Sequence, residues 1–256
     1  MSDYLSRLKE IIRKHPLEEK VLVVSSYQEG KQIGEALVLQ GLPWTNLRYA
    51  TAGALAQETI SLELAESGIR PIPAVTQFFL LESIFSTMKK QGRESYFSGL
   101  ESETGLIRRF QKSISELRLE GLTAKDLSAR CFENESKGYD LIRLMKKYEQ
   151  ALSQGKWVDE AGLYRLALEK AEEHGKGRSP FVICFQNRAL AGLKRHFLQT
   201  YSQNRIIWLT RAPVAGLSPP RRYQRREKPL PDPGEDGWGV FSWLFAPEKA
   251  PAFVKK

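Results

Sequence analysis

Gly30 and Lys31 are the residues of this chain whose types and spacing best suit a phosphate. A phosphate-binding loop sets G-x-x-x-x-G-K-[ST] directly between a strand and a helix. The glycines let backbone N–H groups wrap the phosphates, the lysine reaches the β and γ oxygens, and the hydroxyl ligates magnesium. The corresponding stretch is Ser25-Ser26-Tyr27-Gln28-Glu29-Gly30-Lys31-Gln32. It keeps the Gly-Lys pair, but Ser25 replaces the first glycine and Gln32 the hydroxyl, and Glu29 would face a phosphate with like charge. A plain surface turn can carry the same pair; the apolar run before it and the helical pattern after it make a decayed site an equal alternative. A second position of interest comes after the run Phe181–Phe185, where a magnesium-dependent NTPase carries carboxylates. Here Gln186 and Asn187 stand instead. Lacking a metal ligand and a base, the chain is expected to need no cofactor and to hydrolyse no ATP. Mg-ATP stays open only as the ligand of a divergent loop that uses Lys31 despite Gln32.

Other reactive residues are scattered. Asp159 and Glu160 precede a helical pattern, and Asp159 reads most simply as a helix cap. His15, His174 and His196 have no metal-ligand spacing, so no metal site is expected. Ser25-Ser26 lacks the flanking glycines of a nucleophile elbow. Cys131 and Cys184 are far apart and too few for an all-thiolate cluster, which suits a reducing compartment.

The elements that would position these residues emerge from the apolar periodicity. Leu5, Leu8, Ile11 and Ile12 make one face of a helix over 4–14, which ends at His15-Pro16. Val21-Leu22-Val23-Val24 suits a strand buried on both faces. A loop over 25–30 then leads to a helix through Ile33, Ala36 and Leu37, closed at Gly41. Leu47–Ala50 reads as a strand, with Thr51 capping a helix from Ala52 to about Glu66. From about Ala74 to Glu173 only helical stripes occur, such as Leu141, Leu144, Met145, Tyr148 and Leu152. Strand character returns at Phe181–Phe185 and Arg205–Thr210. The fold class expected is therefore α/β, a parallel doubly wound sheet interrupted by an all-helical insertion. The corresponding divisions are 1–73, an insertion over 74–177, the rest of the α/β domain over 178–211, and a Pro/Arg-rich tail over 212–256.

That tail changes the texture of the chain. Residues 221–228 carry Arg221, Arg222, Arg225, Arg226 and Lys228 against Glu227 alone. Beyond them, Trp238, Phe241, Trp243 and Phe245 make a segment too aromatic to be left in water, and so a candidate partner contact. The whole chain of 256 residues carries a net charge of +9. A cationic excess favours polyanions, because neutralised phosphates release counterions, although solubility alone accounts for many basic proteins. DNA is the expected partner, with Lys31, Arg221, Arg222, Arg225 and Arg226 as candidate contacts. No apolar run reaches the ~20 residues of a membrane span, and the charged, amphipathic start is unlike a secretory signal. A cytoplasmic location without a membrane partner is expected, and the chain reads as a fragment of a longer polypeptide.

Taken in order, VLVVSSYQEGKQIGEAL, TNLRYATAGALA, SELRLEGLTAKDL, KGYDLIRLMKKYEQAL and WVDEAGLYRLAL resemble the N-terminal region of AddB-type subunits of bacterial helicase–nucleases. The last of these also resembles the D-[FY]-x-D-L-L stretch that closes the helical insertion of superfamily 1 helicases. The resemblance covers about residues 18–210. It implies a sheet like the first RecA-like domain of such a helicase, with inactivated ATPase motifs, that works beside an AddA-type helicase–nuclease subunit in double-strand break repair and recombination. The family's nuclease motif and iron–sulfur cysteines have no counterpart in this sequence, so the exonuclease activity of the full-length subunits is not carried over. A protein–protein scaffold without DNA contact and a divergent P-loop NTPase are the alternatives.

Overall fold

A computed structural model of the chain describes residues 3–42, 44–90, 96–97, 104–173, 179–185 and 192–209. Gln186, Asn187, the arginines of 221–228 and the aromatic residues of 238–245 lie outside them.

The chain begins with α1 (Asp3–Lys14), β1 (Lys20–Val23), α2 (Tyr27–Leu39) and β2 (Leu47–Ala50). Next come α3 (Ala52–Thr59), α4 (Ser61–Ser67), β3 (Arg70–Pro71), α5 (Ala74–Lys90) and α6 (Thr104–Leu119). A single 3-10 turn (Ala129–Cys131) precedes α7 (Glu135–Gln154), β4 (Trp157–Val158) and α8 (Glu160–Glu173). The described residues end with β5 (Phe181–Phe185), α9 (Gly192–Tyr201) and β6 (Ile206–Leu209). They fall into two compact units. The first takes residues up to Pro73, then Lys112–Gly121, then Leu152 onward; the second takes Ala74–Gln111 and Leu122–Ala151.

The first unit is α/β, built on a four-stranded sheet of order β2-β1-β5-β6 in which every neighbouring pair is parallel. Its two central strands are apolar from Val21 to Val24 and from Phe181 to Phe185 because both faces are covered, and alternate residues serve opposite cores. Val21, Val23, Val182 and Cys184 pack with Ala52, Leu55, Tyr164, Ala167 and Phe197 from α3, α8 and α9. Leu22, Val24, Ile183 and Phe185 pack with Leu5, Leu8, Ile12, Ile33 and Leu37 from α1 and α2.

α8 therefore serves the sheet, although its sequence stripe suggests the end of a helical insertion running to 177. A stripe of period 3.6 reports that a helix is buried on one side, not which core it joins. Two further differences are local. The helix expected from Ala52 to Glu66 is broken at Ile60, whose ψ of 16° leaves the helical region. β3 and β4 form a separate two-stranded parallel sheet, Arg70 opposite Trp157 and Pro71 opposite Val158, although the sequence suggests no strand between Ala74 and Glu173. Two residues are too few for an alternation to register.

The second unit is helical. Phe85, Phe97 and Phe110 meet with ring centroids 5.1–6.4 Å apart. In the same unit a polar chain is satisfied internally: the buried Gln77 Nε2 donates to the Tyr148 hydroxyl (2.9 Å), and the half-buried Gln111 Nε2 donates to Gln77 Oε1 (3.0 Å).

Candidate functional site

In an open parallel sheet, ligands bind beyond the carboxyl ends of the strands, where successive connections leave in opposite directions. Here that place lies between β1 and β5. β1 leads to β2 on one side, and β5 to β6 on the other. The pairing of Lys20 with Phe181, Val21 with Val182 and Leu22 with Ile183 brings their carboxyl ends to the same edge. The Ser25–Gln32 stretch leaves β1 there, and Gln186-Asn187 comes after β5 in sequence, outside the described residues.

The connection leaving β1 is short. α2 begins at Tyr27, four residues before Lys31, so Gly30 and Lys31 lie inside the helix and not in a loop ahead of it. Ser26 is the N-cap: its hydroxyl oxygen accepts from the Glu29 backbone N–H at 3.2 Å. The Glu29 carboxylate turns back and accepts from the Ser25 N–H at 2.8 Å and the Ser25 hydroxyl at 2.7 Å. S-x-x-E before an apolar stripe is the sequence signature of a capping box, but here the carboxylate reaches Ser25, one residue before the N-cap, and not the Ser26 N–H. Ser26-Tyr27-Gln28-Glu29 carries that signal. A loop over 25–30 places the helix start too late, because an alignment on the phosphate loop uses the same residues for another purpose. Electrostatically, the positive end of α2 already has an anion, since a carboxylate in the first turn complements the macrodipole as a phosphate would.

Gly30 has a packing reason to be glycine. A Cβ there would sit 2.4 Å from Cδ2 of Tyr49, whose ring lies across the helix backbone. Tyr49 in turn meets Tyr27, ring centroids 5.1 Å apart, and their hydrogen bond pushes the Tyr49 hydroxyl pKa up. Lys31 is on the outer flank of α2, 58% exposed, with Nζ 4.0 Å from Glu35. Gln32 is exposed beside it. Neither side chain is gathered with Ser25 around a common centre, and the four residues form a capped helix start.

The acids of the W-V-D-E stretch are also held in place. Asp159 is buried and takes a two-point contact from Arg118, Nε to Oδ2 at 2.6 Å and Nη2 to Oδ1 at 3.0 Å. Its Oδ1 also accepts the Gly162 N–H at 2.9 Å, capping α8 as its sequence position implies. Glu160 pairs with Lys194 at 2.7 Å. His15 Nδ1 meets Glu18 at 2.7 Å, and with Arg205 it holds the Glu18 carboxyl below the usual range. Among the described residues no group of three or more His, Cys, Asp or Glu side chains is arranged to hold a metal. No described helix is long and apolar enough to cross a membrane. A shallow hollow of about 410 Å³ is lined by Gln57, Ser61, Leu64 and Arg70 of α3, α4 and β3, with no residue from α2.

Charge is unevenly divided. The described residues of the first unit carry sixteen cationic and sixteen anionic side chains, so Lys31 stands on a unit without cationic excess. No protein-family model matches the chain, and no curated protein matches it in sequence.

Proposed function

We propose that this chain is a non-catalytic, helicase-like module of an AddB-type DNA-repair subunit, which binds DNA, organises an active AddA-type helicase partner, or does both. The observation that carries the non-catalytic part is the closure of the turn between β1 and α2 by the Glu29 carboxylate on Ser25. A nucleotide phosphate placed there would have to displace a carboxylate from the Ser25 N–H and hydroxyl, and Lys31 is turned along the helix toward Glu35. The parallel sheet, with β1 and β5 side by side, is compatible with a RecA-like scaffold whose loops no longer serve hydrolysis. DNA binding is supported by the net charge of +9.

The test is fluorescence anisotropy of a labelled single-stranded oligonucleotide at two salt concentrations, with a parallel titration of Mg-ATP. The reading expects salt-sensitive oligonucleotide binding and no saturable nucleotide binding. Micromolar Mg-ATP affinity abolished by Lys31→Ala would instead establish a divergent NTPase.

A second reading, a protein scaffold, is favoured by α5. Its outer side exposes Val75 (66%) and Phe79 (58%), one turn apart, on a helix apolar around most of its circumference. Indifference to DNA at low salt would favour it.

A further inference from the structure

We infer that the outer face of α7 is a contact strip for single-stranded nucleic acid, with Tyr139 stacking on a base and Arg143 and Lys146 tracking the phosphates. This deepens the proposed DNA binding, on which it rests, and moves the contact from the sheet to the helical unit.

Three observations carry it. The first is the distribution of charge: the described residues of the second unit hold ten cations against six anions, whereas those of the first are balanced. The cationic excess that attracts a polyanion, as far as the described residues go, belongs to the helices.

The second is the geometry of α7. Leu141, Leu144, Met145 and Tyr148 are buried and fix the inward face. Tyr139, Arg143 and Lys146 recur at i, i+4 and i+7 on the side away from that core, Tyr139 and Lys146 exposed and Arg143 half-buried. From Tyr139 to Lys146 the strip runs about 10 Å along the helix axis. Of its acidic neighbours, Glu135 is in the first turn, where the helix dipole favours an anion, and Glu149 accepts from the Ala124 N–H at 3.2 Å. Asp140, by contrast, is buried near the Phe97 N–H, at 3.4 Å.

The third is the exposure of the aromatic ring. Tyr139 is 63% exposed on a helix whose other tyrosine, Tyr148, is fully buried. An exposed aromatic face beside cations is the arrangement on which unpaired bases stack, whatever their sequence. The start of α7 is held firmly beneath it: a Cβ on Gly138 would sit 2.7 Å from the Phe132 ring and 3.0 Å from the Ala129 Cα. That contact brings the 3-10 turn, with exposed Arg130, to the same end of α7 as Tyr139.

The experiment measures anisotropy of a labelled single-stranded oligonucleotide over a range of salt, using the full chain. It compares the parent, Tyr139→Ala, Arg143→Ala/Lys146→Ala, and Arg221/Arg222/Arg225/Arg226→Ala, with circular dichroism and melting to confirm each fold. Stacking predicts that Tyr139→Ala weakens binding about five- to tenfold with little change in the salt slope. Phosphate contact predicts that the double variant lowers the slope of log K against log salt by about 1.4, roughly 0.7 per lost contact to a single strand. If the α7 variants bind like the parent while the four-arginine variant loses affinity, the α7 strip is wrong and DNA binding stands. If the parent itself fails to bind at low salt, the strip falls together with the proposed function.

Discussion

Gly30 and Lys31 illustrate how one dipeptide can have two different reasons to exist. In a phosphate loop, both would be selected by the ligand. Here the glycine is required by the Tyr49 ring, 2.4 Å from where its Cβ would be, and the lysine by little more than solvent and Glu35 at 4.0 Å. Their substitutions should therefore separate. Gly30→Ala forces the Tyr49 ring away from α2 and with it the contact to Tyr27, an overpacking change costing about 1–3 kcal/mol. Lys31→Ala removes one end of an exposed i,i+4 pair and should stay within about 0.5 kcal/mol of the parent. Urea unfolding of the two variants checks this. A Lys31→Ala loss as large as that of Gly30→Ala would mean that Lys31 has a partner beyond Glu35.

At the level of elements, α8 depends on the carboxylate that precedes it. Asp159 both caps the helix through Gly162 and neutralises Arg118, and both charges are buried. Asp159→Asn keeps a cap but leaves the Arg118 guanidinium without its counter-ion, and breaking a buried pair costs about 3–5 kcal/mol. Glu160→Gln, one residue on, loses a more exposed pair with Lys194 and should cost about 0–1 kcal/mol. A denaturation series in which the two variants were equally destabilised would contradict this assignment. Elements of this kind are legible in the sequence to different degrees. β1 and β5 are readable because burial on both faces leaves the runs Val21–Val24 and Phe181–Phe185 without a polar side chain, although β1 itself starts one residue earlier at the buried Lys20. The cap at Asp159 is readable because capping is a local interaction. The features that escape are non-local or too short. The allegiance of α8 depends on residues more than a hundred positions away, such as Val21 and Val23. The β3–β4 pair involves two residues on each side. At the phosphate-loop position the chemistry is legible as a set of missing groups. The S-x-x-E pattern of the Ser26 cap that occupies the place instead is in plain sequence view.

For the whole molecule, the governing quantity is where the positive charge sits. The chain carries +9 in total; the described residues of the α/β unit contribute none of it, and those of the helical unit +4. Residues 210–256 hold nine cations and five anions, a further +4. Two separate sources of attraction should leave a recognisable trace in salt dependence, since each phosphate neutralised on a single strand adds about 0.7 to the slope. A chain ending at Leu209 loses the tail's cations and keeps α7 whole. It should bind an oligonucleotide more weakly at low salt, with a shallower slope, yet remain sensitive to Tyr139→Ala by the same factor as the full chain. The equality of those two factors is the informative quantity, because independent sites contribute additively to the binding free energy. If the truncated chain bound too weakly for Tyr139→Ala to have any effect, the tail would be the contact and the charge on the helices would serve solubility. If truncation changed neither affinity nor slope, Arg221, Arg222, Arg225 and Arg226 would be excluded as DNA contacts, and the helical unit would carry the binding alone.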